Sequence, residues 1–260
     1  MKVETLPKKI HYCWFGGNEL GEQEQKCIES WKKFLPEYEI VRWDESNFDL
    51  AQNSYVHEAY EAKKWAFVSD FARFDILHQY GGLYFDTDVE IVAPLNDILD
   101  RGPFMASESA PSKDHGLTVA PGLGLAAYPG MALYQMILDS YKDQHFINDD
   151  GSLNTLTVVA RVTDLLRDCG LQDINEVQTL GDLTIYPTDY FNPKDYFTGE
   201  IVLTHNTRAI HHFSMSWVND VEKYKHSVVG WCHKHGIKGM LAFKLSGLAA
   251  LMKYGVRSRS

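Results

Sequence analysis

The amino-acid sequence predicts an α/β protein in which helices cover a mostly parallel central sheet. The chain opens with a strand, a helix and a second strand, and a long apolar helix and an acidic strand follow. Strand–helix–strand units connect parallel strands, so this order predicts a sheet with helices packed on it. A length of 260 residues, of which 45% are apolar and 23% charged, is sufficient to bury such a core.

The opening unit is defined by its apolar spacing and by the residues that end each element. Residues 9–15 are aromatic and branched and predict a buried strand that ends at a pair of glycines. Residues 22–35 predict a helix because their apolar side chains recur at helical spacing, and Pro36 ends it. Residues 39–43 predict the second strand.

The rest of the chain predicts further helices and strands around a loop-rich middle. A helical stretch over residues 55–80, broken near Lys63, is apolar on nearly every side over 65–77 and is expected to be deeply buried. A strand interrupted by acidic residues follows at 82–92, and residues 102–130, rich in Gly, Pro and Ser, predict loops. The remaining predicted elements are helices at 131–141 and 156–166 and short strands at 184–186 and 208–213.

Charge divides the chain into an acidic body and a basic tail. The formal net charge of −10 argues against a general nucleic-acid-binding protein. Residues 221–260 contain eight Lys or Arg and one acidic residue, so they carry +7 and the first 220 residues carry −17. We therefore predict one domain at 1–220 and a basic amphipathic helical segment at 221–260 that meets an anionic surface such as a membrane. Apolar residues within 237–252 share one side of a helical wheel, and the alternative is a helix docked on its own domain.

Cysteine and hydropathy patterns favour a cytoplasmic protein. The four cysteines show no CxxC spacing, so neither a disulfide framework nor a zinc knuckle is expected. The N-terminus has no signal-peptide core, and no run of about 18 uncharged apolar residues occurs. These features predict a cytoplasmic setting, with the basic tail holding the protein peripherally on the inner face of the cell membrane.

The sharpest chemical signal is the pair of carboxylates in Asp86-Thr87-Asp88. In an extended chain, residues i and i+2 point to the same side, so both carboxylates are expected to face one point at the end of a strand. Oxygen ligands of this kind suit Mg²⁺ or Mn²⁺, which also hold a diphosphate. The alternative for an isolated DxD is a solvated acidic turn, but a buried helix and an apolar strand precede this one. The sequence has no glycine-rich phosphate-binding motif, so metal and side chains would hold a phosphate-bearing ligand.

Three further features contain residue types that bind sugars, nucleotides and metals. Asp70 and Arg73 lie on one face of the apolar helix and predict either a structural ion pair or contacts to hydroxyls and phosphates. Trp14, near the end of the first strand, predicts either a surface on which a base stacks or a core residue. His211 and His212 are adjacent in a strand, so only one is expected to face the site, as a metal ligand or as a structural residue.

Taken together, these motifs resemble the DXD glycosyltransferases of family GT32, which include bacterial capsular-polysaccharide transferases and yeast mannosyltransferases. The resemblance is carried by SDxxR in the buried helix followed by GGxYxDxD, and it is strongest over residues 6–95. The matching segments are 7–17, 30–36, 64–77, 80–90 and 211–217. The clostridial glucosylating toxins are similar at a greater distance.

The resemblance implies a GT-A fold, which is a Rossmann-like architecture, with a nucleotide-sugar donor, a divalent metal and retention of configuration at the anomeric carbon. Trp14 would stack on the base, with the backbone of Tyr12 and Cys13 at the base edge. Asp70 and Arg73 would bind hydroxyls of the donor sugar.

The same resemblance implies a metal and diphosphate site. Asp86 would contact the ribose or sugar and help to hold the metal, and Asp88 would be a direct ligand. His212 would supply the distal metal ligand, with His211 as the competing candidate. The residues that would close over the diphosphate are Ser216 and Trp217.

The predicted function is therefore a metal-dependent retaining glycosyltransferase that uses Mn²⁺ or Mg²⁺ and moves a hexose from a UDP-sugar to a saccharide acceptor. The basic tail favours a lipid-linked oligosaccharide acceptor and a role in capsular or other cell-surface polysaccharide synthesis. The alternatives are a non-catalytic nucleotide-sugar-binding scaffold of a polysaccharide assembly complex and a host-directed glucosylating effector.

Overall fold

The secondary structure follows the predicted alternation of strands and helices, in a computed structural model that describes residues 5–113, 115–214, 220–237 and 239–255. The strands are β1 (Lys9–Cys13), β2 (Glu39–Trp43), β3 (Gly82–Tyr84), β4 (Val89–Ile91), β5 (Phe104–Ser109), β6 (Thr118–Val119), β7 (Leu125–Ala127), β8 (Gln178–Leu180), β9 (Leu183–Tyr186) and β10 (Ala209–His211). The helices are α1 (Glu22–Phe34), α2 (Ser54–Glu61), α3 (Trp65–Tyr80), α4 (Asn96–Leu99), α5 (Ala132–Asp139), α6 (Val158–Asp168), α7 (Thr188–Phe191), α8 (Asp220–Lys234) and α9 (Met240–Tyr254).

The central sheet has the strand order β2-β1-β3-β7-β5-β9-β8, with β6 paired to β5. Strand β1 pairs in parallel with β2 and β3, and β5 pairs in parallel with β9. Strand β7 lies between β3 and β5 and is antiparallel to both, so β3 and β5 run in the same direction. Because most strands share that direction, the predicted α/β class with a mostly parallel sheet is confirmed, in agreement with the GT-A fold that the resemblance implies.

A second, two-stranded sheet brings a distant part of the chain to the end of β3. Strands β4 and β10 are antiparallel, with Val89 opposite His211. The register is extended by the backbone N–H of His212, which donates to the carbonyl oxygen of Asp88 at 2.9 Å. The indole Nε1 of Trp31 on α1 donates to the carbonyl oxygen of Val89 at 2.7 Å, which fixes β4 against α1.

The buried imidazole of His11 on β1 links this strand to β2 and to Gly81, the residue before β3. Trp43 Nε1 on β2 donates to His11 Nδ1 at 3.0 Å, and His11 Nε2 donates to the carbonyl oxygen of Gly81 at 3.1 Å. An indole N–H only donates and a carbonyl only accepts, so these partners select the neutral tautomer that carries its proton on Nε2. Burial lowers the pKa of His11 to about 4.

The long helical stretch predicted at 55–80 is two helices, α2 and α3, and the predicted break near Lys63 is confirmed. Lys63 adopts a φ of 56°, a left-handed conformation that a continuous helix excludes. Helix α3 then runs through the core, with Val68, Phe71, Phe74 and Leu77 all buried.

Two predictions from the sequence were wrong in their detail. Residues 102–130 are not only loops, because they contain β5, β6 and β7. The predicted strand at 82–92 is two short strands in different sheets, separated at the acidic residues. Asp86, Thr87 and Asp88 therefore lie in a turn rather than in an extended strand.

Contacts between residues divide the chain into two compact units. The first comprises residues 1–193 and 203–212, and the second comprises residues 194–202 and 213–260. Within the second unit, α8 and α9 pack through Val229, Cys232 and Ala242, and the Phe197 ring packs against the same cluster. The predicted helical C-terminal appendage is confirmed as α8 and α9, whereas the predicted domain boundary between residues 220 and 221 stays a prediction.

Candidate active site

The site begins with Arg73, a buried arginine on α3 that contacts two carboxylates. Its Nη2 lies 2.9 Å from Asp70 Oδ1, one helical turn earlier, and 3.4 Å from Asp86 Oδ1, beyond β3. Its Nε donates to the carbonyl oxygen of Ser69 at 3.1 Å, and its guanidinium carbon lies 5.1 Å from the centroid of the Tyr84 ring. The two sequence motifs, SDxxR and DxD, are therefore joined through one guanidinium.

Asp86 is held in a defined position where the chain leaves β3. The Tyr84 hydroxyl donates to Asp86 Oδ1 at 3.1 Å, and the Asp86 backbone N–H donates to the Gly122 carbonyl at 3.1 Å. Gly122 lies in the 3-10 turn Pro121–Leu123, and a Cβ at this position would overlap the Asp86 carboxylate. The absence of a side chain at 122 thus leaves the space that the carboxylate occupies.

The electrostatics of this group follow from burial and from one cation shared by two anions. Burial raises the pKa of Asp70 to about 7, with Arg73 opposing the rise and Asp86 adding to it. Burial alone would lower the pKa of the Arg73 guanidinium, but Asp86, Tyr84 and Asp70 raise it, so Arg73 stays charged. The Asp86 side chain is 30% exposed, against 5% for Arg73, so Asp86 is the member of the group that reaches solvent.

The second half of the site pairs Asp88 with His211. His211 Nε2 lies 3.1 Å from Asp88 Oδ1, and both side chains are largely buried. Burial lowers the pKa of His211, but the charges of Asp88, Asp86 and Glu108 more than offset this, so the pKa is raised. Asp88 follows Asp86 by two residues, so the two halves of the site are adjacent along the chain.

The structure corrects the choice between the two adjacent histidines. His212 Nε2 lies 2.8 Å from Glu90 Oε2, so its ring is directed to Glu90 rather than to Asp88. The reason is the register of β10 on β4, which places His211 opposite Val89, next to Asp88. The prediction that only one histidine faces the carboxylate pair agrees with this geometry, but that histidine is His211, not His212.

The donor atoms at this point fit a divalent cation in chemical type. Carboxylate oxygens from Asp86 and Asp88 and an imidazole nitrogen from His211 are ligands that Mn²⁺ accepts, and Mg²⁺ shares the oxygen preference. Within the described parts of the chain, no three His, Cys, Asp or Glu side chains are grouped closely enough to hold a metal ion as they stand. Because Gly122 has no side chain, the fold leaves room at this site for the Asp86 carboxylate.

The residues expected at the nucleotide lie at the carboxyl end of β1, beside the end of β3. Tyr12 and Cys13 are buried, with the Tyr12 ring edge-on to Trp31 at 5.9 Å, and burial raises the pKa of the Cys13 thiol to about 12. Trp14 is half-buried, and its Nε1 donates to the carbonyl oxygen of Asn18 at 2.7 Å. The side chains of Tyr12 and Cys13 are therefore not accessible to a ligand, which could reach only their backbone. Trp14, in contrast, is partly accessible.

Two of the predicted site residues are not described by the structure, and three residues at the site were not predicted. Ser216 and Trp217, expected to cover the diphosphate, lie outside the described residues. Tyr84 is the tyrosine of the GGxYxDxD motif but was assigned no role, although residues i and i+2 share a side in an extended chain and Tyr84 stands two residues before Asp86. Glu108 and Gly122, which acts by having no side chain, gave no signal that distinguished them from other residues of a predicted loop.

The site thus combines carboxylates that follow β3 with a buried arginine of α3 and an imidazole of β10, in an α/β protein of the kind that binds ligands at the carboxyl ends of its strands. Residues 21–105 match the family model described as "Glycosyltransferase sugar-binding region containing DXD motif". Over this segment the chain is therefore similar to the sugar-binding region of the DXD glycosyltransferases, in agreement with the DXD resemblance drawn from the sequence. The matched segment includes α3, β3 and the DxD turn.

Curated relatives are similar over part of their length. A protein of Legionella pneumophila named "Subversion of eukaryotic traffic protein A" is 24% identical over 185 residues, which are 57% of this chain and 28% of that protein. "Inositol phosphoceramide mannosyltransferase 1" of Schizosaccharomyces pombe is 26% identical over 119 residues, which are 42% of this chain and 36% of that protein. The chain thus spans about a third of the length of these relatives.

Solved structures of two glycosyltransferases are also similar. "PaToxG Glycosyltransferase" has a TM-score of 0.48 and 20% identity, covering 64% of this chain and 70% of that one. A glycosyltransferase involved in glycosylation of the major capsid of PBCV-1 has a TM-score of 0.43 and 10% identity, covering 81% of this chain and 95% of that one.

None of the helices in the described ranges combines the length and the apolar character needed to cross a bilayer.

Proposed function

We propose that the protein is a metal-dependent retaining glycosyltransferase of the GT32 type that transfers a hexose from a UDP-sugar to a saccharide acceptor. The observation that carries the proposal is the pairing at the end of β3, where Arg73 contacts Asp70 and Asp86 and where His211 contacts Asp88. The sugar-binding region that the chain matches supports the same reaction class.

Each polar side chain has a role that its position supports. Arg73, fixed by Asp70 and by Ser69, would donate from its remaining N–H groups to hydroxyl or phosphate oxygens of the donor. Asp70 would accept from a sugar hydroxyl and so orient the donor for attack by the acceptor. Tyr84 holds the Asp86 carboxylate in place through its hydroxyl.

The metal would be held by Asp86, Asp88 and His211, with Mn²⁺ the preferred ion because one donor is an imidazole. When bound, it supplies positive charge that stabilises the departing diphosphate. His211 takes the role that the resemblance implied for His212, because its ring, not that of His212, contacts Asp88. No carboxylate stands out as a nucleophile, so we propose a same-face substitution.

The donor is proposed to be a UDP-sugar that stacks on Trp14, with the Tyr12 and Cys13 backbone at the base edge. A half-buried indole at the carboxyl end of the first parallel strand is where a nucleotide base commonly lies. The fission-yeast relative is named as a mannosyltransferase, so GDP-mannose is the competing donor. A thermal-shift screen of UDP- and GDP-sugars with Mn²⁺ separates them, because the cognate donor raises the melting temperature by mass action.

The acceptor is proposed to be a lipid-linked oligosaccharide, used at the inner face of the cell membrane in capsular or other cell-surface polysaccharide synthesis. The basic tail supports this setting, since residues 221–260 carry +7. The name of the fission-yeast relative also pairs a sugar transferase with a lipid, inositol phosphoceramide.

The experiment measures donor hydrolysis and sugar transfer with and without Mn²⁺ in the wild type, Asp88→Ala and Asp168→Ala. Removing Asp88 takes away a proposed ligand, so Mn²⁺-dependent activity is expected to fall at least about 100-fold, since even residues that only support a ligand matter 10–100-fold. Asp168 is an exposed aspartate at the end of α6 and serves as the matched control, with activity unchanged. Equal activity in all three proteins, with and without metal, would contradict the proposal.

A host-directed glucosylating effector is the second candidate, favoured by the name of the Legionella relative, which describes subversion of eukaryotic traffic. The donor site would be the same, and the acceptor would be a host protein. Comparing transfer to lipid-linked saccharides with transfer to eukaryotic lysate proteins distinguishes the two. Tight donor binding without turnover on either acceptor would instead identify a non-catalytic scaffold.

A further inference from the structure

Helix α9 presents its large apolar side chains to solvent and buries its small ones. Ala242, Ser246 and Ala250 are 0%, 3% and 0% exposed. The exposed residues of the opposite side form what we call the outer face of α9: Met240, Leu241, Lys244, Leu248 and Met252. The exposed fractions reach 73% for Met240 and 81% for Met252, and they are 58% for Leu241 and 56% for Leu248. A surface helix of a water-soluble domain normally has the reverse arrangement.

The packing within the second unit explains which side is buried. Helix α9 contacts α8 through Ala242, beside Val229 and Cys232 of α8, with Leu245 at the edge of the cluster. This close packing requires small residues on α9 and leaves its longer aliphatic side chains on the other side. Hydrophobic residues that are numerous on one exposed helix face mark an interaction surface.

The charges along α9 and along the segment that precedes it are all of one sign. Residues 223–255 contain no Asp or Glu but contain six lysines. Lys234, Lys244 and Lys253 are exposed, and none of them forms an ion pair with a residue in the described ranges. Lys253 is directed over the Tyr224 ring, with Nζ 4.1 Å from the ring centroid. The occupant of this surface is therefore expected to be both apolar and anionic.

We propose that the outer face of α9 inserts into the interface of an anionic lipid bilayer. Helix α9 has 15 residues and is about 22 Å long, which is shorter than the ~30 Å hydrocarbon core and suits a helix lying in the interface. The Met and Leu side chains leave water, and Lys244 reaches the lipid headgroups.

The position of Lys244 favours a bilayer over a second protein copy. Lys244 lies in the middle of the apolar arc on the helical wheel, between Met240 and Leu248. At the core of a protein interface this charge would be buried, and lysine is depleted there. At a bilayer, its methylene stem stays in the apolar layer while its ammonium reaches the headgroups. The inference gives the proposed membrane location a specific surface and does not depend on the transfer reaction.

The test is co-sedimentation of the full chain with vesicles of pure phosphatidylcholine or of equimolar phosphatidylcholine and phosphatidylglycerol. The wild type is expected to bind the anionic vesicles and not the neutral ones. The double variant Leu248→Glu/Met252→Glu should lose at least tenfold in affinity, because two charged side chains replace apolar ones. Lys244→Gln should lose about fivefold, which corresponds to ~1 kcal/mol per basic residue at an anionic surface. Met136→Glu, at an exposed apolar residue of α5, is the matched control and should bind like the wild type.

Three outcomes would overturn the inference: no wild-type binding to anionic vesicles, equal binding by the double variant, or a wild-type dimer that the double variant abolishes. The last would assign the outer face to a second copy of the chain. Circular dichroism must show equal helix content in every variant before affinities are compared. Donor hydrolysis in the absence of vesicles should be unchanged in the double variant, so failure of this inference is distinguishable from failure of the proposed reaction.

Discussion

The glycine at position 122 gives the most direct test of the site, because a single methyl group should displace one carboxylate and little else. In Gly122→Ala, the new Cβ would lie 2.9 Å from the Asp86 carboxyl carbon and 3.3 Å from Arg73 Nη1, and it would overlap Asp86 Oδ2. Ordinary contacts begin at about 3.4 Å, so the carboxylate must retreat by roughly 1 Å. A misplacement of about 1 Å at a catalytic group costs about 100-fold in rate.

The displaced group has somewhere to go, so the variant should fold. The Asp86 side chain is 30% exposed and can rotate towards solvent, losing its hydrogen bond from Tyr84. That loss should lower the free energy of unfolding by about 1–3 kcal/mol. Gly247→Ala is the matched control, since a Cβ there meets nothing within 4 Å.

The assay for both alanine variants is the initial rate of Mn²⁺-dependent donor hydrolysis, with the melting temperature measured on the same samples. The expected result is a loss of about 100-fold for Gly122→Ala and no loss for Gly247→Ala. A Gly122→Ala protein that melts near the wild-type temperature and keeps its full rate would show that the position of Asp86 does not matter for the reaction.

Two further predictions concern histidines. His211→Ala should weaken activation by Mn²⁺ at least tenfold. His212→Ala removes a contact to Glu90 and should weaken that activation much less. A titration of activity with Mn²⁺ measures both effects, and the reverse order would contradict the assignment of His211. His11 should make the fold acid-sensitive, because its pKa falls from 6.5 to about 4 on folding. The contribution of the neutral His11 ring to the free energy of unfolding is complete above pH 6.5, and about 3 kcal/mol of it is lost as the pH falls to about 4. Urea unfolding across that range should give a flatter curve for His11→Gln, and parallel curves would refute the reasoning.

The elements predicted well were those whose signals are local. Helix α1 and strand β2 have the predicted boundaries to within a residue, because apolar spacing and Pro36 define them without help from distant residues. Strands β5 and β7 were missed because Ala, Ser and Gly around them have low strand propensity, and pairing with neighbours in the central sheet decides their conformation. Pairing with neighbouring strands, rather than local composition, therefore makes parts of residues 102–130 strands of the sheet.

The candidate site was predictable in its residue types but not in its pairing. The spacing of Asp70 and Arg73 on one helix face left an ion pair between them as one of two interpretations, and alternation along a strand predicted that His211 and His212 point in different directions. Which histidine faces Asp88 depends on the register of β10 on β4, and sequence alone does not give the register between strands far apart in the chain. The resemblance implied His212, whereas the ring that contacts Asp88 in the structure is that of His211.

The balance of charge gives the physical reason for proposing a cation at this site. Asp70 and Asp86 share the Arg73 guanidinium, and Asp88 lies beside His211, whereas like charges that are close and partly buried repel one another. The protein limits this repulsion by retaining protons, since the pKa values of both Asp70 and His211 are raised. A divalent cation bound by Asp86 and Asp88 would supply the missing charge and would leave Arg73 to bind the donor. The arrangement is therefore less stable alone than with a metal and a diphosphate, which is what a binding site for a charged donor requires.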